Sequence, residues 1–85
     1  MLLNIIALDK IIYQGEAEAV IVPGKEGPLT ILPHHTPLIN LLGKGKIKLR
    51  KDGEEKFFEI EEGILEVNPK EVNILVTRVT SNLII

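Results

Sequence analysis

Hydrophobic and polar residues alternate with a period of two along much of this chain, and residues 45–51 show it most cleanly. Ile47 and Leu49 fall on one side of that segment, and Lys46, Lys48 and Arg50 on the other. Successive side chains of a strand point to opposite faces, so this pattern predicts a half-buried strand. Asp52-Gly53 follows, a pair whose residues tolerate the positive φ angles of a tight hairpin. Residues 54–60 return. A two- or four-residue loop sets Arg50 opposite Glu55, Lys46 opposite Glu59 and Ile47 opposite Phe58. That makes two ion pairs and one apolar pair, each on its proper face. Lys56 falls opposite Leu49, a mismatch that a flexible lysine stem near the turn accommodates.

Shorter runs of the same kind predict further strands at residues 3–8, 11–13, 17–22, 29–32, 64–67 and 72–79, separated by turn residues. Asp9-Lys10, Pro23-Gly24 and Asn68-Pro69 are the expected turns. In the last run Val72, Ile74 and Val76 face one way, and Asn73, Leu75 and Thr77 the other. Residues 38–42 are apolar and read equally as a strand or one helical turn, because periodicity does not separate the two. No 11-residue window keeps a helical stripe. Eight to ten short strands in one small domain predict an all-β fold, a flattened sandwich or barrel of about ten strands spanning residues 1–85 as a single domain. The apolar tail Leu83-Ile84-Ile85 is expected either to pair as an edge strand or to be a stub where a longer chain would continue.

Composition narrows the function. The chain has no cysteine, which removes disulfides, thiolate zinc sites and cysteine nucleophiles. A formal net charge of −2 opposes general nucleic-acid binding, and an aromatic content of 4% opposes stacking on single strands. No apolar run is longer than that from Ile5 to Leu8, so no segment is expected to insert into a membrane.

The sequence carries no recognisable catalytic motif. His34 and His35 are adjacent, so on an extended segment they point to opposite sides and do not share a metal. Gly24-Lys25-Glu26-Gly27 and Gly43-Lys44-Gly45-Lys46 lack the spacing of a phosphate loop and read as turns. The basic run from Lys44 to Lys51 is answered by the acids that follow, which describes a self-compensating solvated face. No nucleophile motif surrounds Thr30 or Thr36. Residue chemistry alone thus leads to a non-catalytic interaction module with no cofactor and no metal.

The stretch Gly24-Lys25-Glu26-Gly27-Pro28-Leu29-Thr30-Ile31-Leu32-Pro33-His34-His35-Thr36-Pro37-Leu38-Ile39 carries more. It resembles the glycine-acid-glycine and Ile-Leu-Pro-x-His-x-Pro-Leu signature of the epsilon subunit of rotary (F-type) ATP synthases. Tyr13-Gln14-Gly15-Glu16-Ala17 resembles that family's aromatic-x-Gly step. Glu62-Gly63-Ile64-Leu65-Glu66-Val67 resembles its Gly-Gly-x-Leu-Glu-Val strand. The resemblance covers residues 2–80 and implies the family's ten-stranded amino-terminal β-sandwich.

It further implies a central-stalk subunit that binds the gamma subunit, sits on the polar loops of the c-ring and rotates with both, doing no bond chemistry itself. Carried over position by position, Ala7, His35, Leu38 and Asn40 would face gamma, and Glu26, Gly27 and Pro28 would form the loop nearest the ring. The location implied is peripheral, on the cytoplasmic face of a bacterial plasma membrane, with a monomer expected for the isolated chain. Thr30 stands where a glycine is common, Glu62 replaces the first of two usual glycines, and Pro28 stands where an acid is often found. Family members usually continue into a two-helix carboxy-terminal domain. With the chain ending at Ile85, that helical domain, ATP binding and helix-mediated block of rotation are not expected. Two rival readings remain at this level: a free-standing ligand- or carbohydrate-binding sandwich, and a small enzyme using His34 or His35.

Overall fold

A computed structural model describes residues 1–77 and, for the backbone alone, 79–84. Ten strands follow one another: β1 (Leu2–Ala7), β2 (Lys10–Glu16), β3 (Ala19–Gly24), β4 (Gly27–Ile31), β5 (Leu38–Leu42), β6 (Gly45–Lys51), β7 (Glu54–Ile60), β8 (Gly63–Val67), β9 (Glu71–Val76) and β10 (Val79–Ile84). No helix occurs among the described residues. The segment left open between strand and helical turn is strand β5. The tail pairs as a strand against β7 as far as Ile84, while Ile85 lies outside the described residues, as does Arg78 within the predicted strand 72–79. The expected turn at Asp9-Lys10 forms one residue earlier, at Leu8-Asp9, and Pro23-Gly24 belongs to β3 rather than to a turn.

Hydrogen bonding runs in the order β10-β7-β6-β3-β5-β8-β9-β1-β2, with β4 on the other edge of β3. The path bends sharply at β3. Ala19 to Ile21 pair with β6, whereas Gly24 pairs with Leu42 of β5 and the Pro23 carbonyl accepts from the Gly43 N–H at 2.8 Å. One strand therefore serves two layers. Pro23 sits where the partner changes from β6 to β5, a place that spares its missing N–H. Layer one is β10-β7-β6-β3-β4; layer two is β5-β8-β9-β1-β2.

Alternation builds the core between them. Val20, Val22, Ile31, Ile47, Leu49, Phe58 and Ile60 enter from layer one, and Leu3, Ile5, Leu42, Leu65, Val67, Val72, Ile74 and Val76 from layer two, all buried. At about 25 cal/mol per Å2 of apolar surface removed from water, such side chains supply the main drive to fold a chain without staples. The β6–β7 hairpin has the predicted register, with Arg50 opposite Glu55, Lys46 opposite Glu59 and Ile47 opposite Phe58. Its two-residue turn holds Asp52 at φ 53° and Gly53 at φ 77°, both left-handed as that turn demands. The mismatched Lys56 lays its ammonium 5.4 Å from the Tyr13 ring centroid.

Candidate interaction surface

The two layers present opposite chemistry to the outside. On layer one, β6 displays Lys46, Lys48 and Arg50, and β7 displays Glu55, Phe57 and Glu59. Glu55 takes Lys48 at 3.1 Å and Arg50 at 3.3 Å. The hydrogen bond from Lys48, and after it that from Arg50, holds the Glu55 carboxyl below the ordinary carboxylate value. Lys48 also stands 5.9 Å from the Phe57 ring centroid. Cations there are matched by acids, as the sequence predicted for this face.

Layer two is different. Its register aligns Leu41, Ile64, Leu75, Ile6 and Ile11 in one row across all five strands, on the side away from the core. Leu41, Ile64, Leu75 and Ile11 are 42–59% exposed, and Ile39 beside them reaches 75%. Leu8, 88% exposed in the β1–β2 turn, extends the row at one end. Leu8, Leu41, Ile64 and Leu75 line a shallow groove of about 390 Å3 that also touches Lys25 and Glu62. Single exposed apolar residues are ordinary, but a contiguous row spanning a whole sheet marks an interaction surface.

The next row along the strands is polar. Glu66, Asn73, Asn4 and Gln14 follow Ile39 in register, and Glu71 lies one step beyond Asn73 on the same side of β9. Asn4 Nδ2 donates to Glu71 Oε1 at 3.0 Å and to Asn73 Oδ1 at 2.9 Å, and Asn73 Nδ2 donates to Glu66 Oε1 at 2.9 Å.

The residues assigned from the resemblance do not gather at one spot. Ala7 is 7% exposed and faces the core. Leu38 and Asn40 share the inward side of β5 with Leu42, and Leu38 packs against the core. Their neighbours Ile39 and Leu41 hold the exposed side. A nearly continuous apolar run hides that alternation, so the sequence reading did not find them. His35 is half-buried in the β4–β5 loop, its Nδ1 2.7 Å from the Thr36 carbonyl oxygen. His34 beside it is exposed and takes φ 67°. Glu26 is exposed at the two-residue turn joining β3 to β4, while Gly27 and Pro28 begin β4 opposite Gly24 and Pro23. Lys25 N–H donates to the Leu41 carbonyl at 3.0 Å, which ties the turn to the apolar row. Gly27 at φ 133° uses a conformation other residues resist.

Among the described residues, no group of three or more His, Asp or Glu side chains is placed to hold a metal ion. The aromatic rings form no carbohydrate platform: Phe58 is buried, Tyr13 packs 6.4 Å from it, and Phe57 lies under Lys48.

Known proteins agree with this architecture. Residues 1–82 match the family model described as ATP synthase, Delta/Epsilon chain, beta-sandwich domain. An ATP synthase epsilon chain of Leptospira borgpetersenii serovar Hardjo-bovis is 42% identical over 72 residues, covering 85% of this chain and 57% of that one. An epsilon chain of Alkalilimnicola ehrlichii is 37% identical over 73 residues, covering 85% and 52%. The chain thus spans about half the length of these curated relatives. A chain of the Euglena gracilis mitochondrial ATP synthase, solved as OSCP/F1/c-ring, superposes with a TM-score of 0.86 at 22% identity, covering 92% of this chain and 51% of that one. One from the Tetrahymena thermophila central stalk and c-ring gives 0.80 at 16%, covering 94% and 65%. These two likenesses establish the fold. With residues 1–82 of its 85 matched by the family model, the chain belongs to the β-sandwich domain family of ATP synthase delta and epsilon chains.

Proposed function

We propose that this domain is a non-catalytic coupling element of the central stalk. It docks on the gamma subunit, rests against the c-ring and turns with both, so that ion flow through the membrane sector drives ATP synthesis in the catalytic head. It is peripheral, held at the cytoplasmic face of a bacterial plasma membrane by its partners.

The observation that carries this reading is the one-sided apolar face. Burying such a row against a partner releases ordered water at little conformational cost, because the strands are already fixed. A rotor element needs a rigid body with a sticky side, and a sandwich with one compensated face and one apolar face supplies both. The Lys25-Glu26 turn lies at the end of the apolar row, so a body held on gamma through layer two offers that tip to a second partner. Polar tips on rigid scaffolds are common binding sites.

The test is binding of purified gamma subunit and of c-ring to this chain and to Leu75→Asp. Leu75 is half exposed, so the variant should still fold. Gamma affinity should fall at least about tenfold, since a desolvated, unpaired carboxylate at an interface costs more than 1.4 kcal/mol. Undiminished gamma binding by Leu75→Asp would remove layer two from the interface, and no gamma binding by the parent chain would remove the function proposed.

A further inference from the structure

We infer that the polar row of layer two is a receptor for an arginine side chain of the gamma subunit. It would lie beside the apolar row and fix how gamma sits on it. This rests on the docking reading above and adds to it the chemistry of the partner.

Three observations support it. First, the row consumes its own donors. Asn4 donates from Nδ2 to Glu71 and Asn73, and Asn73 Nδ2 and Asn68 Nδ2 both point to Glu66. What remains for a visitor is mainly acceptor oxygen. Second, that negative charge has no counterpart among the described residues. Among the described residues neither Glu66 nor Glu71 forms an ion pair, whereas Glu55 on layer one holds two cations. Third, an acceptor in the middle of the row lacks a donor altogether. Asn4 is 6% exposed, and its Oδ1 accepts no hydrogen bond. A buried oxygen without a donor is uncommon and calls for an explanation. No group among the described residues provides one.

The group that suits the carboxylates of Glu66 and Glu71 is a cation with several donors. Neighbouring strands lie about 4.8 Å apart, so acceptors on β8 and β9 are best bridged by a wide, flat, multi-donor head rather than a point charge. Guanidinium has five N–H donors in a planar fork and sheds water more readily than an ammonium. Its stem would lie along Ile39, which stands opposite Glu66 and is largely exposed. The apolar row would then supply adhesion, and the polar row orientation, because a misplaced guanidinium leaves both sides unpaired.

The experiment measures gamma binding to the parent chain, to Glu66→Gln/Glu71→Gln and to Leu75→Asp, across a salt series, with thermal stability recorded for each. Glutamine keeps the shape and the oxygen that accepts from the asparagines while removing the charge. The double variant should lose about tenfold or more in affinity at low salt, and its affinity should depend less on salt than the parent's. Blocking gamma's arginines with phenylglyoxal should erase the difference between parent and double variant, and acetylating its lysines should not. Equal affinity and equal salt dependence in parent and double variant would overturn the arginine receptor while leaving docking intact, provided Leu75→Asp still binds more weakly than the parent. Erasure by lysine acetylation alone would overturn the choice of arginine. A double variant that loses stability but binds gamma normally when folded would make the row a purely internal brace.

Discussion

Gly63→Ala places a single methyl group at the tightest approach in layer two. Gly63 opens β8 between Leu42 of β5 and Val76 of β9. A Cβ there would run into the backbone carbonyl oxygen of Leu75 and stand 3.1 Å from Val76 Cγ1. The obstacle is backbone, so relief requires β8 and β9 to part. Overpacking of that kind costs about 1–3 kcal/mol. Against it stands the reduced freedom of the unfolded chain, worth about 0.4–1 kcal/mol. The net expectation is a loss of roughly 1–2 kcal/mol, which in a domain of this size lowers Tm by about 4–16 °C. Gly43→Ala is the internal control. Its Cβ would meet only the Lys25 side chain, at 3.6 Å, an ordinary contact. It should therefore be neutral or slightly stabilising. Urea titration of the three proteins provides the comparison, with unchanged slope and shifted midpoint as the signature of a true stability change. If Gly63→Ala unfolds at the parent's midpoint, the β8–β9 approach does not constrain this position and the reasoning fails.

Other substitutions probe separate parts of the molecule. Gly53→Ala, at φ 77°, should cost about 1–2 kcal/mol through the left-handed backbone alone, again read by urea midpoint. Glu55 is held below its ordinary value in the folded chain, so its contribution is present above the unfolded carboxylate pKa and is lost as pH falls through the lower folded one; the stability advantage of the parent over Glu55→Gln should be full at neutral pH and vanish in acid, and an advantage that persists there would refute the pairing. Glu26→Lys should leave thermal stability within about 0.5 kcal/mol, because the side chain is exposed at a turn, and should weaken c-ring docking by roughly 1–3 kcal/mol without touching gamma binding; normal ring-coupled proton pumping would take that role from Glu26.

Local signals were legible and distant ones were not. The β6–β7 hairpin could be read residue by residue because its turn chemistry and its charges specify the same register. The facing of β9 was equally plain, since Val72, Ile74 and Val76 alternate with Asn73, Leu75 and Thr77. β5 was opaque: in Leu38-Ile39-Asn40-Leu41-Leu42 four of five residues are apolar, and the lone polar one, Asn40, turns inward with Leu42. Pro23 looked like a stop and is in fact a strand residue, tolerated where β3 changes partner. Asn4 reads only as part of the predicted strand 3–8. Its meaning comes from Glu71 and Asn73, which nothing local links to it.

That distance has a consequence for how the domain comes into being. β1 is an inner strand of layer two, paired in parallel with β9 so that Leu2 meets Glu71 and Ile6 meets Leu75. Nearly the entire chain separates each couple. On a ribosome, β1 emerges well before β9, so its second edge stays open until β9 follows. During that interval the β1–β2 hairpin has little to bury its apolar side against. Pairings of such long reach make folding slow and expose strand edges meanwhile. Synthesis interrupted before Glu71 would release a chain with the β3–β4 and β6–β7 hairpins complete and layer two split between β8 and β1, a natural client for chaperones and proteases.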